Sequence, residues 1–430
     1  MRILYFSTRD CWPPRSGGRL RDFHLTRELS RRAEVTYLGF KRSPESDIYR
    51  GPLCAESHVK AIIVPRGPGY GVTALARGLT GPLPATIVNF VSARMKWELE
   101  QILDQDDFDV VQIEGVHLFP YIDAIRAARR RPKLICDWHN IESELMRRHS
   151  ERAARSMAQR WYAKRTAGLI HRLEDRLLRE CDGHLVCSDR EQSVLQNRAP
   201  GAVIQVISNG TDIFQSLATA QEEPAALQDI IFVGSMDYHA NIDAVLHFVR
   251  CVWPQIHRAR PHLRFVIVGS CPAREVLQLS SQPGVVVTGT VNDVRPYYKD
   301  ASVAVVPLRV GSGTRLKVLE AMAAGVPVIS TRLGAEGLDL KHEEHLMLAE
   351  TPQEFLDAIF SLQSDSKRRT TLINAASEIA RSRYDWRDIG ESLYGFYLDR
   401  LSTSPGNPEN FVNPIRSIDH EQPASHSGHH

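Results

Sequence analysis

"GSGTRLKVLEAMAAGVPVIS", residues 311–330, changes character twice within a short span. It opens as a glycine-rich turn, continues as an apolar segment carrying Arg315, Lys317 and Glu320, and closes on a β-branched run after Pro327. Read as a helix from about Thr314 to Ala324, the middle segment places Leu316, Leu319, Met322 and Ala323 on one wide apolar stripe, which Val318 extends. Lys317 and Glu320, three positions apart, share the narrow polar ridge that is left, and Arg315 falls in the first turn beside Gly311 and Gly313. Gly325 ends the helix, and "VPVIST" then reads as a buried strand. A turn feeding a helix that feeds a buried strand is one unit of a wound, parallel α/β sheet.

The same alternation runs outward in both directions. "RILYFS", "EVTYLGF", "VKAIIV", "DVVQI", "KLICD" and "HLVCS" form one series of strand-like runs. "DIIFVGS", "RFVIVGS", "VVVTGT", "ASVAVVPL", "PVIST" and "HLMLA" form a second, with amphipathic stretches between the runs of both. The expectation is an α/β protein of two doubly wound, Rossmann-like domains. The first covers residues 1–212, a polar linker covers 213–228, and the second domain covers 229–384. "DWRDIGESLYGFYLDRL" gives a last helix at about 385–401, and residues 402–430, rich in Pro, Ser, Asn and His, read as a disordered tail whose histidines are solvated.

Composition removes several classes of function. The 53 basic and 51 acidic residues leave a formal charge of +2, so no overall field favours nucleic acid, and any anion site must be local. The 7 cysteines are scattered without a CxxC pair or zinc spacing, which suits a reduced, cytoplasmic protein. The opening "MRILYFSTRD" reads as a strand rather than a signal peptide, and no run of about 18 apolar residues follows to span a membrane. Residues 147–179 stand out with ten Arg or Lys against three acids and with Trp161 and Tyr162. They read as a basic amphipathic helix, either solvated or lying on anionic lipid.

In open α/β sheets ligands collect at the carboxyl ends of the strands, where helix N-termini present free N–H groups and a positive dipole. The turn Gly311–Ser312–Gly313–Thr314 has that position, and its glycines let backbone approach a ligand while Arg315 and Lys317 supply two cations; a diphosphate fits that set. Glu320, flanked by Leu319, Ala321 and Met322, is a carboxylate needing partners, and ribose hydroxyls would satisfy it. In the first half, Gly17 and Gly18 of "RSGGRL" open a helix carrying Arg21, His24 and Arg27, where backbone can approach a donor phosphate or an acceptor from across a cleft. His139 and Asn140 end the strand "LICDWHN", and Glu114 ends "VVQIE", so these three are candidate cleft residues. A dinucleotide site is disfavoured, because "TRDCWPP" separates the first strand from its glycines and "EVTYLGF" ends without an acid.

With these motifs in place, residues 1–400 resemble glycosyltransferase family 4, the retaining, nucleotide-sugar-dependent glycosyltransferases of the GT-B fold. "GSGTRLKVLEAMAAGVPVIST" carries most of the resemblance, and "PPRSGGRLRDFHL", "DWHNIES", "CSDRE", "SNGTD" and "GTVNDVRPYYKDASVAVVPL" support it. The resemblance implies two facing Rossmann-like domains, a donor site including Gly234, Ser235, Val291 and Glu320, and His139 near the anomeric centre. It further implies a glycosyl (hexosyl) transfer with no metal or other cofactor, to a glycan or lipid-linked acceptor, in cell-surface glycan or polysaccharide synthesis. Two departures stand out. Ser312 occupies a position where the family commonly has a glutamate, and Ser235 and Ala240 stand where it commonly has an arginine and a lysine; Arg315 and Lys317 are the expected replacements for those cations. The departures keep two alternatives open, a non-catalytic nucleotide-sugar sensor or scaffold and a GT-B sugar epimerase.

Overall fold

The computed structural model describes residues 1–14, 16–41, 48–67, 78, 80–152, 156–212, 229–311 and 315–402. The expected linker 213–228, the turn residues Ser312, Gly313 and Thr314, and the tail from residue 403 lie outside the described residues.

Two all-parallel sheets organise the chain. The first contains β1 (Arg2–Phe6), β2 (Glu34–Lys41), β3 (Lys60–Pro65), β4 (Val110–Glu114), β5 (Lys133–Trp138), β6 (Gly183–Val186) and β7 (Ile204–Val206), in the order β3-β2-β1-β4-β5-β6-β7. The second contains β8 (Asp229–Val233), β9 (Arg264–Val268), β10 (Val285–Gly289), β11 (Ala301–Val306), β12 (Val328–Ser330) and β13 (Met347–Leu348), in the order β10-β9-β8-β11-β12-β13. Helices cover both faces of each sheet, so the central strands are continuously apolar, as in "ASVAVV", of which every residue is buried. Each strand order reverses once, between β1 and β4 and again between β8 and β11, and each reversal opens a crevice at the carboxyl ends of the strands.

The helix in the decisive stretch spans Leu316–Ala323, shorter at its start than the sequence suggests. Arg315 is its N-cap, with non-helical backbone (φ −91°, ψ 81°), and its guanidinium folds back towards the carbonyl of Leu333. Leu316, Val318, Leu319, Ala321, Met322 and Ala323 are buried, and Gly325 (φ +72°) terminates the helix in the left-handed region.

The end of the first half lies against the segment that returns to it: the Thr211 amide donates to the Tyr384 carbonyl at 2.8 Å, and Thr211 bridges Asp385. The helix Trp386–Ser402 then packs on the first sheet's helix Gly17–Ser30. There Gly390 sits so close that an added Cβ would lie 2.3 Å from that of Glu28, and Trp386 stacks on His24 with ring centroids 4.9 Å apart. Tyr397 donates to Gln112 inside β4.

Candidate functional site

A cleft of about 1040 Å³ lies between the two crevices and is lined from both sides. From the first sheet come Arg9, Gly17, Gly18, Glu114, His139 and Asn140, and from the second Gly234, Ser235, Tyr238, Val291, Arg315, Lys317 and Glu320. The structure therefore brings the two halves of the expected site together; Gly311 lies beside the Arg315 guanidinium.

The second-sheet wall is built around Lys317. Its ammonium donates to Asn241 Oδ1 at 2.6 Å and lies 4.1 Å from the centroid of the buried Phe232 ring. Asn241 in turn donates to the Ser235 carbonyl at 2.8 Å. Gly234 leaves room for both: a Cβ there would lie 2.7 Å from Asn241 Nδ2 and 2.8 Å from the Lys317 ammonium. Burial, reinforced by Arg315 and only partly offset by Glu320, lowers the Lys317 pKa to about 7. Arg315, 6 % exposed, packs its guanidinium by Gly311, where an added Cβ would be 3.3 Å from it and 3.3 Å from the Cβ of Ala240. Lys317 thus sits at the loop after β8, and Arg315 lies near Ala240, the two regions where the family resemblance places an arginine and a lysine. Glu320 accepts a bond of 3.3 Å from the Tyr298 hydroxyl, and burial raises its pKa against the pull of Tyr298 and Lys317.

On the first-sheet wall, Glu114 accepts from the Ser7 hydroxyl (2.6 Å), the Thr8 amide (2.9 Å), the Thr8 hydroxyl (2.6 Å) and Arg9. Its pKa is about 2: burial opposes the charge, but Arg9 and His139 outweigh it. Gly18 leaves room for Arg9, whose guanidinium would lie 1.5 Å from a Cβ there. His139 aims both ring nitrogens at carboxylates, Nδ1 at Glu114 (3.5 Å) and Nε2 at Asp22 (3.5 Å) and Asp137 (3.7 Å). Burial alone would depress its pKa, yet the three acids raise it. Asp22, Glu114 and His139 each offer one ligand atom within 4.8 Å of one another, a set that can face a cation. Arg9 already pairs with Glu114 in this cluster, and the His139 ring lies between its acids.

Two expected cleft residues line the cleft and are also tied into the fold. Arg21, 1 % exposed, holds Asp137 with Nε and Nη2 (3.0 and 2.8 Å) and the Ile207 carbonyl and Asn209 Oδ1 with Nη1 (2.8 and 3.0 Å). Glu114 likewise spends its oxygens within the cleft floor. The residues that sequence reasoning missed are Arg9, Asp22, Tyr238, Asn241 and Glu142. Of these, Arg9 carried a signal, following the first strand at its carboxyl end.

The basic stretch also resolves differently, into the helices Glu142–Arg152 and Met157–Glu180. Arg148 is not turned to solvent or lipid: it grips Glu336 of the second sheet's side with two bonds of 2.9 and 3.0 Å and Glu144 at 3.1 Å, while Arg190 reaches the same two acids. Met157 and Trp161, 78 % and 59 % exposed, project from the second helix beside the exposed Arg160 and Lys164.

Two doubly wound parallel sheets facing across a cleft lined from both define the GT-B class of α/β proteins. The sequence profile described as "Glycosyltransferase Family 4" matches residues 23–214, and that described as "Glycosyl transferases group 1" matches residues 228–365. The chain belongs to the glycosyltransferases of these families. It is 30% identical over 177 residues to an uncharacterised glycosyltransferase of Methanocaldococcus jannaschii, covering 39% of this chain and 44% of that one. To the glycogen synthase of Mycobacterium tuberculosis it is 23% identical over 255 residues, 55% of this chain and 59% of that one. The aligned parts thus span about half the length of these curated relatives. Among solved structures, sucrose-phosphate synthase from Thermosynechococcus elongatus superposes with a TM-score of 0.67 at 18% identity, covering 94% of this chain and 100% of that one. Anabaena HepE, solved in complex with UDP and glucose, gives 0.61 at 15% identity, covering 92% and 99%. Likenesses at this identity describe the fold alone.

Proposed function

We propose that this chain transfers a sugar from a nucleoside-diphosphate donor to an acceptor hydroxyl, with retention at the anomeric carbon and without a metal ion. The observation that carries the reading is the placement of Lys317 on the Gly234–Ser235 loop and of Arg315 beside Gly311 in one cleft, with Glu320 lining it too. A departing diphosphate gains charge as the bond to the sugar breaks, so cations fixed beforehand stabilise the transition state more than the ground state. Lys317, held by an amide oxygen and an aromatic face rather than by a carboxylate, has its charge open to a phosphate. Anabaena HepE was solved with UDP bound, and a nucleotide donor for this chain is in keeping with that. A thermal-shift screen across UDP-, GDP- and ADP-sugars tests the reading: the matching donor raises the melting temperature, and no shift with any of them defeats it.

Glu320→Gln keeps the shape and removes the charge. Nucleoside diphosphate affinity measured by calorimetry is expected to fall by about 1.5–3 kcal/mol, the range for hydrogen bonds to a charged group. Unchanged affinity would make Glu320 a structural partner of Tyr298 only.

The acceptor belongs to a cell-surface glycan or polysaccharide in this reading and is glycan-like or lipid-linked, with the enzyme cytoplasmic and attached peripherally to anionic membrane. Among the described residues no helix is long and apolar enough to cross a membrane. Met157, Trp161, Arg160 and Lys164 form the contact, in place of the larger arginine set that included Arg148. At about 1 kcal/mol per basic residue near an anionic surface, attachment is weak and reversible. Co-sedimentation with anionic vesicles is expected to fall in the triple variant Arg160→Gln, Trp161→Ala, Lys164→Gln and to weaken between about 50 and 500 mM salt, where screening grows. Equal sedimentation of both proteins would leave the helix simply solvated.

A further inference from the structure

The cleft is lined by six carboxylates. Glu114 holds Arg9, Asp212 faces His24 and Arg27, Asp237 accepts from Ser235, Asp293 holds Arg295, and Glu320 accepts from Tyr298. The sixth, Glu142, has neither a hydrogen bond nor an ion pair among the described residues. It begins the helix Glu142–Arg152, three residues beyond His139, and its neighbours Asn140 and Leu145 line the same cleft. The start of that helix is fixed from behind, where the Ser143 amide and hydroxyl donate to Glu174 at 3.0 and 2.5 Å. A rigidly placed, unpartnered carboxylate on the wall facing the donor cations braces nothing in the fold.

We propose that Glu142 receives the proton of the acceptor hydroxyl as the glycosidic bond forms, an assignment that rests on the transferase reading above. The acceptor oxygen bonds to the anomeric carbon on the same face from which the diphosphate departs, so configuration is retained, and its proton passes to the Glu142 carboxylate. The bond from that carbon to the diphosphate oxygen breaks with its electron pair remaining on the diphosphate, beside Arg315 and Lys317. The proton then leaves to solvent when the cleft opens. The groups around Glu142 suit this role. Burial and the negative Glu174 raise its pKa to about 7 while Arg9 and His139 oppose them, Glu114 adds to the rise, and Tyr238 faces it from the second-sheet wall. A base that titrates near neutrality is the kind that transfers protons efficiently there.

The test uses the full chain and the nucleotide sugar that stabilises it most in the thermal-shift screen, with water standing in for the acceptor. Nucleoside diphosphate release is followed from about pH 5.5 to 9, and donor affinity is measured by calorimetry. In the wild type kcat at saturating donor rises with pH through a limb near 7, because the charged carboxylate is the active form and the bound diphosphate keeps Lys317 charged there. Glu142→Gln is expected to lower the rate by about 100-fold or more, in the range for losing a positioned base, and to erase that limb while donor affinity stays within about twofold. Glu142→Asp keeps the limb at reduced rate. A Glu142→Gln protein with near-normal rate and an intact limb overturns the assignment. So does one whose rate falls only in proportion to donor affinity, which would make Glu142 a sugar ligand. A wild type that neither binds nor hydrolyses any UDP-, GDP- or ADP-sugar defeats the transferase reading itself, and this assignment falls with it.

Discussion

Lys317→Ala is expected to cost roughly 2–4 kcal/mol of transition-state stabilisation, about 30- to 900-fold in kcat/KM, the range for removing one preorganised group from a site of developing charge. Arg315→Ala is expected to lose a similar amount. Neither change should unfold the protein: each truncates a side chain that reaches the cleft and leaves the apolar face of the helix Leu316–Ala323 intact. The Lys317 pKa of about 7 adds a signature that a structural lysine would lack. A diphosphate beside the ammonium favours its charged form, so the pKa rises in the complex. Between pH 7 and that higher value donor binding takes up a proton, and affinity falls as pH increases. Calorimetry in two buffers of different ionisation enthalpy at pH 8 reads the uptake directly, and Lys317→Arg, charged throughout, should abolish it. Proton-neutral binding by the wild type at pH 8, with near-normal turnover of both alanine variants, would remove the phosphate role from these residues.

The largest loss of stability is expected from Arg21→Met. Arg21 and Asp137 are 1 % and 0 % exposed, and removing one member of such a pair strands the other charge in a low-dielectric interior, which typically costs about 3–5 kcal/mol. The change also orphans the Ile207 carbonyl and Asn209 Oδ1, which anchor the segment leaving β7. Denaturant unfolding followed by circular dichroism should show a markedly lower midpoint. Arg21→Met with Asp137→Leu should recover part of the loss, since no lone charge remains buried. A single variant within about 1 kcal/mol of wild type would mean that water reaches Asp137.

Much of this architecture was legible because it is written locally. β1 to β6 and β8 to β13 are short apolar, β-branched runs set off by turns, and their burial follows from composition alone. Only β7, three residues long, offers too little pattern to be seen. The Arg315, Lys317 and Glu320 ridge was readable for the same reason, lying within one helical turn or two of Gly311. What stayed hidden depends on partners far along the chain: Arg9 on Glu114 spans 105 positions, Arg21 on Asp137 spans 116, and Arg148 on Glu336 spans 188. An arginine's type announces a cation, but only the fold decides whether it meets a ligand, a buried acid or the opposite domain. Glu142 was invisible for the converse reason, since what distinguishes it is the lack of such a partner.

The return of the helix Trp386–Ser402 to the first sheet bears on the order in which the protein can be made. Trp386 against His24, Gly390 against Glu28 and Tyr397 on Gln112 complete a core whose other members leave the ribosome hundreds of residues earlier. At about 5–20 residues per second of synthesis, the amino-terminal half waits some tens of seconds with its Gly17–Ser30 helix uncovered. The second sheet, contiguous in sequence from β8 to β13, has no such delay and can close first. Vectorial synthesis is thereby inverted: the half translated last is the one free to fold first, and nascent chains stalled short of residue 386 leave uncovered the surface that Trp386, Leu393 and Tyr397 bury in the finished protein.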